Sequence, residues 1–184
     1  LVVCPTTVLS HWKRKIAEHA PDLNVFLLHG GQRDIDEGLK HHKVLLTSFG
    51  IMRNDIEQLS KIPFTLVVFD EIQNLKNPHT LTYKAAKNLQ SYVKLGLTGT
   101  PIENDLSDLK ALFDLTVPGY FGSDEKFIQR YSGDDTHDPD PYNREELRKL
   151  IYPFTLRRLK KTVLDELPEK IEDTRTCMLS DDQV

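Results

Sequence analysis

No stretch of this 184-residue sequence is apolar for long enough to cross a bilayer as a helix, and a membrane-spanning class is not expected. Cysteine is almost lacking. Cys4 and Cys177 stand far apart and in no metal-ligand spacing, which argues against zinc and makes a reducing, intracellular setting the expectation. Seven histidines offer one close pair, His41-His42, and adjacent residues point two ways on any regular element, so the pair is not read as a metal site. A basic excess is lacking too: 24 Lys and Arg stand against 28 Asp and Glu, a formal charge of −4, so the overall balance carries no nucleic-acid footprint. No internal repeat or low-complexity tract is visible, and the chain opens on "LVVCP" with neither an initiating Met nor a charged leader, as the middle of something larger does.

What is present is an ordinary globular composition, 39% hydrophobic and 28% charged, in a chain long enough to bury a substantial core. Charge is uneven: "DDTHDPDPYNREE" (134–146) holds six acids and one base and reads as a solvated loop, whereas "RRLKK" (157–161) holds four bases. Short β-type runs alternate with helical spacing, the pattern of an α/β parallel sheet flanked by helices. Strands are expected at 1–4, 24–29, 43–48, 65–69 and 92–97. Leu9, Trp12 and Ile16 mark one helix, and Leu81, Ala85 and Leu89 another with Asn77 as N-cap and Pro78 at its first position. Leu106, Leu109 and Leu112 place a further helix at about 104–115. Past "VPGYFGS" the pattern is helical, near 124–131, 143–151 and 157–166, before an extended run at 171–179. Residues 1–115 therefore read as an α/β lobe, with a C-terminal helical addition and linker over 116–170.

Ligands of an open parallel sheet bind beyond the carboxyl ends of the strands, and those positions here are polar. Pro5-Thr6-Thr7 follow the first strand, Thr47-Ser48 the third, Asp70-Glu71 the fourth and Thr98-Gly99-Thr100-Pro101 the fifth. Thr and Ser before a helix are ordinarily caps, and Gly-Thr-Pro is often a plain turn, so none of these sets identifies a site alone. Asp70 and Glu71 are harder to dismiss, because carboxylates at the mouth of a buried strand must be solvated, paired or bound to a cation. An Asp that ends an apolar strand is the Walker B arrangement of P-loop nucleotidases, where it helps hold the magnesium ion on the nucleotide phosphates. Glu71, one residue on, leaves the strand on a different side and suits the polarising of a water at the terminal phosphate.

With these residues assembled, the chain resembles the Swi/Snf family of helicase-like ATPases in superfamily two, specifically its first RecA-like lobe. "VVCPTTVLSHWKRKI" looks like the family's motif Ia, "VLLTSFG" its motif Ib, "VVFDEIQNLKNP" its motif II and "GLTGTPIEND" its motif III. "PFTLRRLKKTVLDELPEK" is similar to the segment joining the two lobes, and "LSDDQ", within 171–184, looks like the start of the second. The resemblance implies ATP and Mg2+ as cofactors, with Asp70 serving the metal, Glu71 activating water, and Thr98, Gly99 and Thr100 at the nucleotide, the two threonines helping to couple its state to DNA. It implies contacts from Pro5, Thr6, Thr7, Thr47 and Ser48 to the phosphates of double-stranded DNA, which backbone amides and hydroxyls make without net positive charge. Arg157 and Arg158 fall in the coupling linker.

Trp12 also matches a family position, but its spacing with Leu9 and Ile16 reads as core. The tetrad Asp70-Glu71-Ile72-Gln73 has Gln where many relatives have His, so Gln73 must remake any contact that His makes. Together with Glu103 in motif III, this leans toward a prokaryotic branch. No G-x-x-x-x-G-K-[ST] loop occurs in the 184 residues, and the resemblance places that loop upstream of Leu1. The expectation is thus a fragment, inactive alone, of a DNA-dependent ATPase that translocates on double-stranded DNA and remodels a nucleoprotein complex or displaces RNA polymerase. It would work at the nucleoid in a prokaryote or in a nucleus. The alternatives are another superfamily-two translocase or helicase subunit, and a non-catalytic DNA-binding scaffold of the same fold.

Overall fold

The computed structural model describes residues 1–31, 33–99, 106–131 and 141–158. Its five strands are β1 (Val2–Cys4), β2 (Val25–Leu28), β3 (Val44–Ser48), β4 (Phe64–Asp70) and β5 (Ser91–Leu97). All pair in parallel, in the order β2-β3-β1-β4-β5. Each expected strand is present within a residue or two.

Helices α1 (Leu9–His19), α2 (Ile35–His41), α3 (Phe49–Asn54), α4 (Ile56–Leu59), α5 (Leu81–Asn88), α6 (Leu106–Thr116) and α7 (Asp124–Tyr131) fill the connections. Side-chain caps rather than long apolar periods start two of the short ones: Asp34 accepts the amide of Glu37 ahead of α2, and Ser48 that of Ile51 ahead of α3. The start of α5 departs from expectation. Asn77 Oδ1 accepts the amide of His79 at 2.9 Å, a tight turn around Pro78, and Thr80 instead caps the helix through Tyr83 N at 3.2 Å.

The sheet separates two apolar layers. One gathers Val3, Leu28, Leu45, Val67 and Phe69 under Ile35, Met52, Leu59, Tyr83, Ala86, Leu112 and Leu115, from α2 to α6. The other holds Val2, Cys4, Leu46 and Val68 beneath Leu9 and Trp12 of α1. Each fully buried aliphatic side chain contributes about 1.5–3 kcal/mol. Because α1 leaves β1 toward one face and α5 follows β4 on the other, the topological switch point falls between the adjacent strands β1 and β4. That is where an open α/β sheet forms its ligand crevice.

The chain divides into two compact units, Leu1–Asn143 and Arg144–Val184. Within the first, the buried Lys110 of α6 bonds Asp114 and Asp124, each at 2.6 Å, so a charge inside the fold is paired twice. The second unit begins within α8 (Pro141–Ile151), passes a 3-10 turn at Tyr152–Phe154 and leaves Arg157 and Arg158 exposed and non-helical. The rest of the helix expected at 157–166 and the run at 171–179 lie outside the described residues, as does Cys177.

Candidate active site

Strand β4 delivers Phe69 into the core and ends on half-buried Asp70. The next residue breaks the strand abruptly. Glu71 has a left-handed backbone, φ 53° and ψ 53°, and is the sole non-glycine residue with positive φ among those described. Such a conformation costs a side-chain-bearing residue about 1–3 kcal/mol and persists where the surroundings impose it. Here the surroundings are visible. A 3-10 turn, Ile72–Leu75, follows at once with Ile72 and Leu75 buried, and the carbonyl of Glu71 accepts from Asn74 N at 3.0 Å and Asn74 Nδ2 at 2.9 Å. Gly96 of β5 makes room for it, since a Cβ there would collide with the Ile72 side chain, 3.1 Å from its Cγ2. A glycine inside a strand often marks such a close approach.

The left-handed turn swings Glu71 off the line of the strand, so the two adjacent carboxylates receive separate supports. Asp70 Oδ1 accepts the amide of Glu71 at 3.0 Å, and Oδ2 accepts the indole N–H of Trp12 at 2.7 Å. Glu71 Oε2 accepts from Gln73 Nε2 at 2.6 Å. Gln73 Oε1 is buried and lacks a hydrogen-bond partner among the described residues. Beside them at the end of β1, burial and then the charge of Asp70 push the Cys4 thiol up to about 11.

The other expected site residues divide. Pro5 opens a 3-10 turn, Thr6–Val8, on which Thr6 and Thr7 are exposed at the carboxyl edge of the sheet. Thr98 and Gly99 are exposed beyond β5, directly after Leu97, the partner of Asp70 in the ladder, while Thr100 lies outside the described residues. Thr47 points inward: its buried hydroxyl donates to Leu28 O at 3.0 Å, so that side chain faces no phosphate. The Ser48 hydroxyl is occupied as the cap of α3, 3.4 Å from Ile51 N. Trp12 corrects the core reading in part. It is half-buried against the α1 layer, yet its polar edge belongs to the carboxylate site. An indole N–H that enters a protein interior needs a partner, which is the one signal that the sequence offered for it.

Among the described residues no group of three or more His, Cys, Asp and Glu forms a metal cage. The donor set at Asp70 and Glu71, two carboxylates with an uncommitted amide oxygen nearby, nonetheless fits Mg2+. That ion prefers one or two carboxylates completed by water and phosphate oxygens.

A parallel sheet with a Walker-B-like acidic pair at its switch point defines the RecA-like class of nucleotide-handling lobes. The chain belongs to the SNF2-related domain family, which matches residues 1–184. It is 38% identical over its whole length to the candidate ATP-dependent helicase/translocase YwqA of Bacillus subtilis, and covers 20% of that protein. To the TATA-binding protein-associated factor mot1 of Schizosaccharomyces pombe it is 36% identical over 98% of this chain and 10% of that one. In structure it is similar to the Sulfolobus solfataricus SWI2/SNF2 ATPase core in complex with double-stranded DNA. There the TM-score is 0.78 at 34% identity, covering 91% of this chain and 35% of that chain. The chain thus spans about a third or less of each of these proteins.

Proposed function

We propose that this chain is the first RecA-like lobe of an ATP-driven translocase on double-stranded DNA that remodels protein-DNA complexes. The observation that carries the reading is the separate support of Asp70, by Trp12 and its neighbour's amide, and of Glu71, by Gln73. One carboxylate is held for a cation while the other is held, charged and oriented, for a water. The DNA-bound relative and the names of the TATA-binding protein-associated factors support the substrate class.

In this reading Asp70 holds Mg2+, which when bound neutralises the charge developing on the phosphates of ATP. Glu71 accepts a proton from the attacking water, and Gln73 fixes its rotamer. Thr98 and Gly99, at the end of β5, pass on the nucleotide's state, a role that Thr100 shares. Thr6, Thr7 and the backbone at Pro5 meet DNA phosphates, with Thr47 and Ser48 shaping the neighbouring turn from within. Arg157 and Arg158 brace the linker that couples DNA to turnover. With no G-x-x-x-x-G-K-[ST] loop in its 184 residues, the chain alone binds ATP weakly and does not hydrolyse it. The setting is the nucleoid or the nucleus.

The test is ATP hydrolysis by the full-length protein with and without double-stranded DNA. Glu71→Gln keeps shape and removes charge, so turnover falls roughly 10²- to 10⁴-fold while nucleotide binding survives. Asp70→Asn weakens metal-dependent binding as well, and excess magnesium partly rescues it. Undiminished DNA-stimulated hydrolysis in Glu71→Gln would remove Glu71 as the catalytic carboxylate, whereas a full-length wild type that hydrolyses no ATP with or without DNA would leave the non-catalytic scaffold as the better reading.

A further inference from the structure

We infer that Trp12 is a positioning residue for the cation-binding carboxylate: its indole N–H fixes the orientation of Asp70. The inference rests on the reading of Asp70 as the metal ligand, and goes beyond it by assigning a role to a residue on a different element.

Trp12 lies on α1 and Asp70 at the end of β4, 58 residues apart, yet their polar atoms meet at 2.7 Å. That distance is typical of a charge-assisted bond between an N–H and a carboxylate. The half-buried ring packs against the cluster of Val2, Cys4, Leu9, Leu46 and Val68, so packing as well as the bond holds it in place. The other carboxylate oxygen is engaged at 3.0 Å by the amide of Glu71, which the left-handed turn holds in place. Two rigid donors, one on each oxygen, define the plane of the carboxylate and leave its remaining lone pairs in a fixed direction. A metal ligand oriented in this way binds without first losing rotamer freedom, and removing such an outer partner typically costs about 10- to 100-fold in metal affinity or activity.

The same bond joins two parts of the proposed site. Helix α1 follows directly from the Thr6–Val8 turn, with Leu9 as its first residue. The bond therefore ties the element that carries the Thr6–Val8 turn to the carboxylate.

The experiment compares Trp12→Phe with wild type in the full-length protein, reading binding of a fluorescent ADP analogue across a magnesium titration. Phenylalanine keeps most of the aromatic bulk and removes the donor. The expected result is a rise of about 10- to 100-fold in the magnesium concentration for half-maximal effect, with metal-free nucleotide affinity and the thermal unfolding midpoint retained. If Trp12→Phe titrates like wild type while Asp70→Asn shifts, Trp12 serves packing alone and the inference is overturned, although Asp70 keeps its role. Should neither variant shift, the metal reading of Asp70 itself falls and takes this inference with it. A second measurement covers a Trp12→Phe that does not fold: in protein carrying 15N-labelled indoles, one indole proton resonance should move on adding magnesium and ADP and move again in Asp70→Asn. Indole resonances unmoved by both would overturn the inference equally.

Discussion

Gln73 donates from Nε2 to Glu71 Oε2 at 2.6 Å, across the left-handed turn that separates them. The bond joins a neutral amide to a charged carboxylate two residues away, so its loss frees a side chain whose backbone is already fixed. A hydrogen bond to a charged group is worth about 1.5–3 kcal/mol. Gln73→Ala should therefore lower ATP turnover of the full-length protein by roughly 10- to 100-fold, by the usual tenfold per 1.4 kcal/mol. Gln73→Glu, which sets like charges against each other, should lower it further. Steady-state hydrolysis with saturating DNA is the measurement, and equal rates for Gln73→Ala and wild type would remove Gln73 from the site.

A methyl group at Gly96 would press into Ile72 and so into the turn that holds Glu71. Gly96→Ala should destabilise the domain by about 1–3 kcal/mol, the range for overpacking. Ile72→Val deletes Cδ1, the atom met first, and should recover part of both stability and turnover when combined with Gly96→Ala. A double-mutant cycle by urea unfolding reads the coupling. Strict additivity would show that the close approach is without consequence.

The Cys4 thiol ionises at about 11 in the folded chain against an ordinary 9.0, through burial first and the Asp70 charge second. Above pH 9 the unfolded chain loses this proton while the folded chain keeps it, so the folded state binds more protons and stability falls as pH rises. The loss should develop between about pH 9 and 11. Other groups titrate there too, so the measurement is the difference in urea midpoint between wild type and Cys4→Ala at each pH. A difference that stays constant from pH 8 to 11 would contradict the shift.

On the proposed reading, Thr6 and Thr7 meet DNA through hydroxyls and backbone amides, which grip the DNA backbone rather than base edges. Affinity of the full-length protein should fall with salt and differ little among unrelated duplexes. Thr6→Ala with Thr7→Ala should weaken binding to all of them alike. A loss confined to one sequence would point to base readout.

The strands were legible because each is a short apolar run closed by polar residues, and the motifs then fell at their carboxyl ends. Helices α2, α3 and α4 were not, since four to seven residues leave too little length for a 3.6-residue period. Asn77-Pro78 has the composition of a helix start but spends its side chain on a turn. Within the site, Asp70 and Glu71 could be read from their place after an apolar run. The bond from Trp12 could not, because helical spacing accounts for the ring and says nothing of where its N–H points. Nor could the left-handed backbone at Glu71, a residue type with no preference for it.

With Glu71 in its proposed role, that left-handed backbone sets stability against activity at a single position. Glycine at position 71 would relieve the strain, and asparagine, which tolerates the conformation better, would relieve part of it. Either substitution removes the carboxylate. A library screened for heat resistance would therefore enrich variants that fold better and lose most of their turnover, and the original glutamate would return only under selection for turnover.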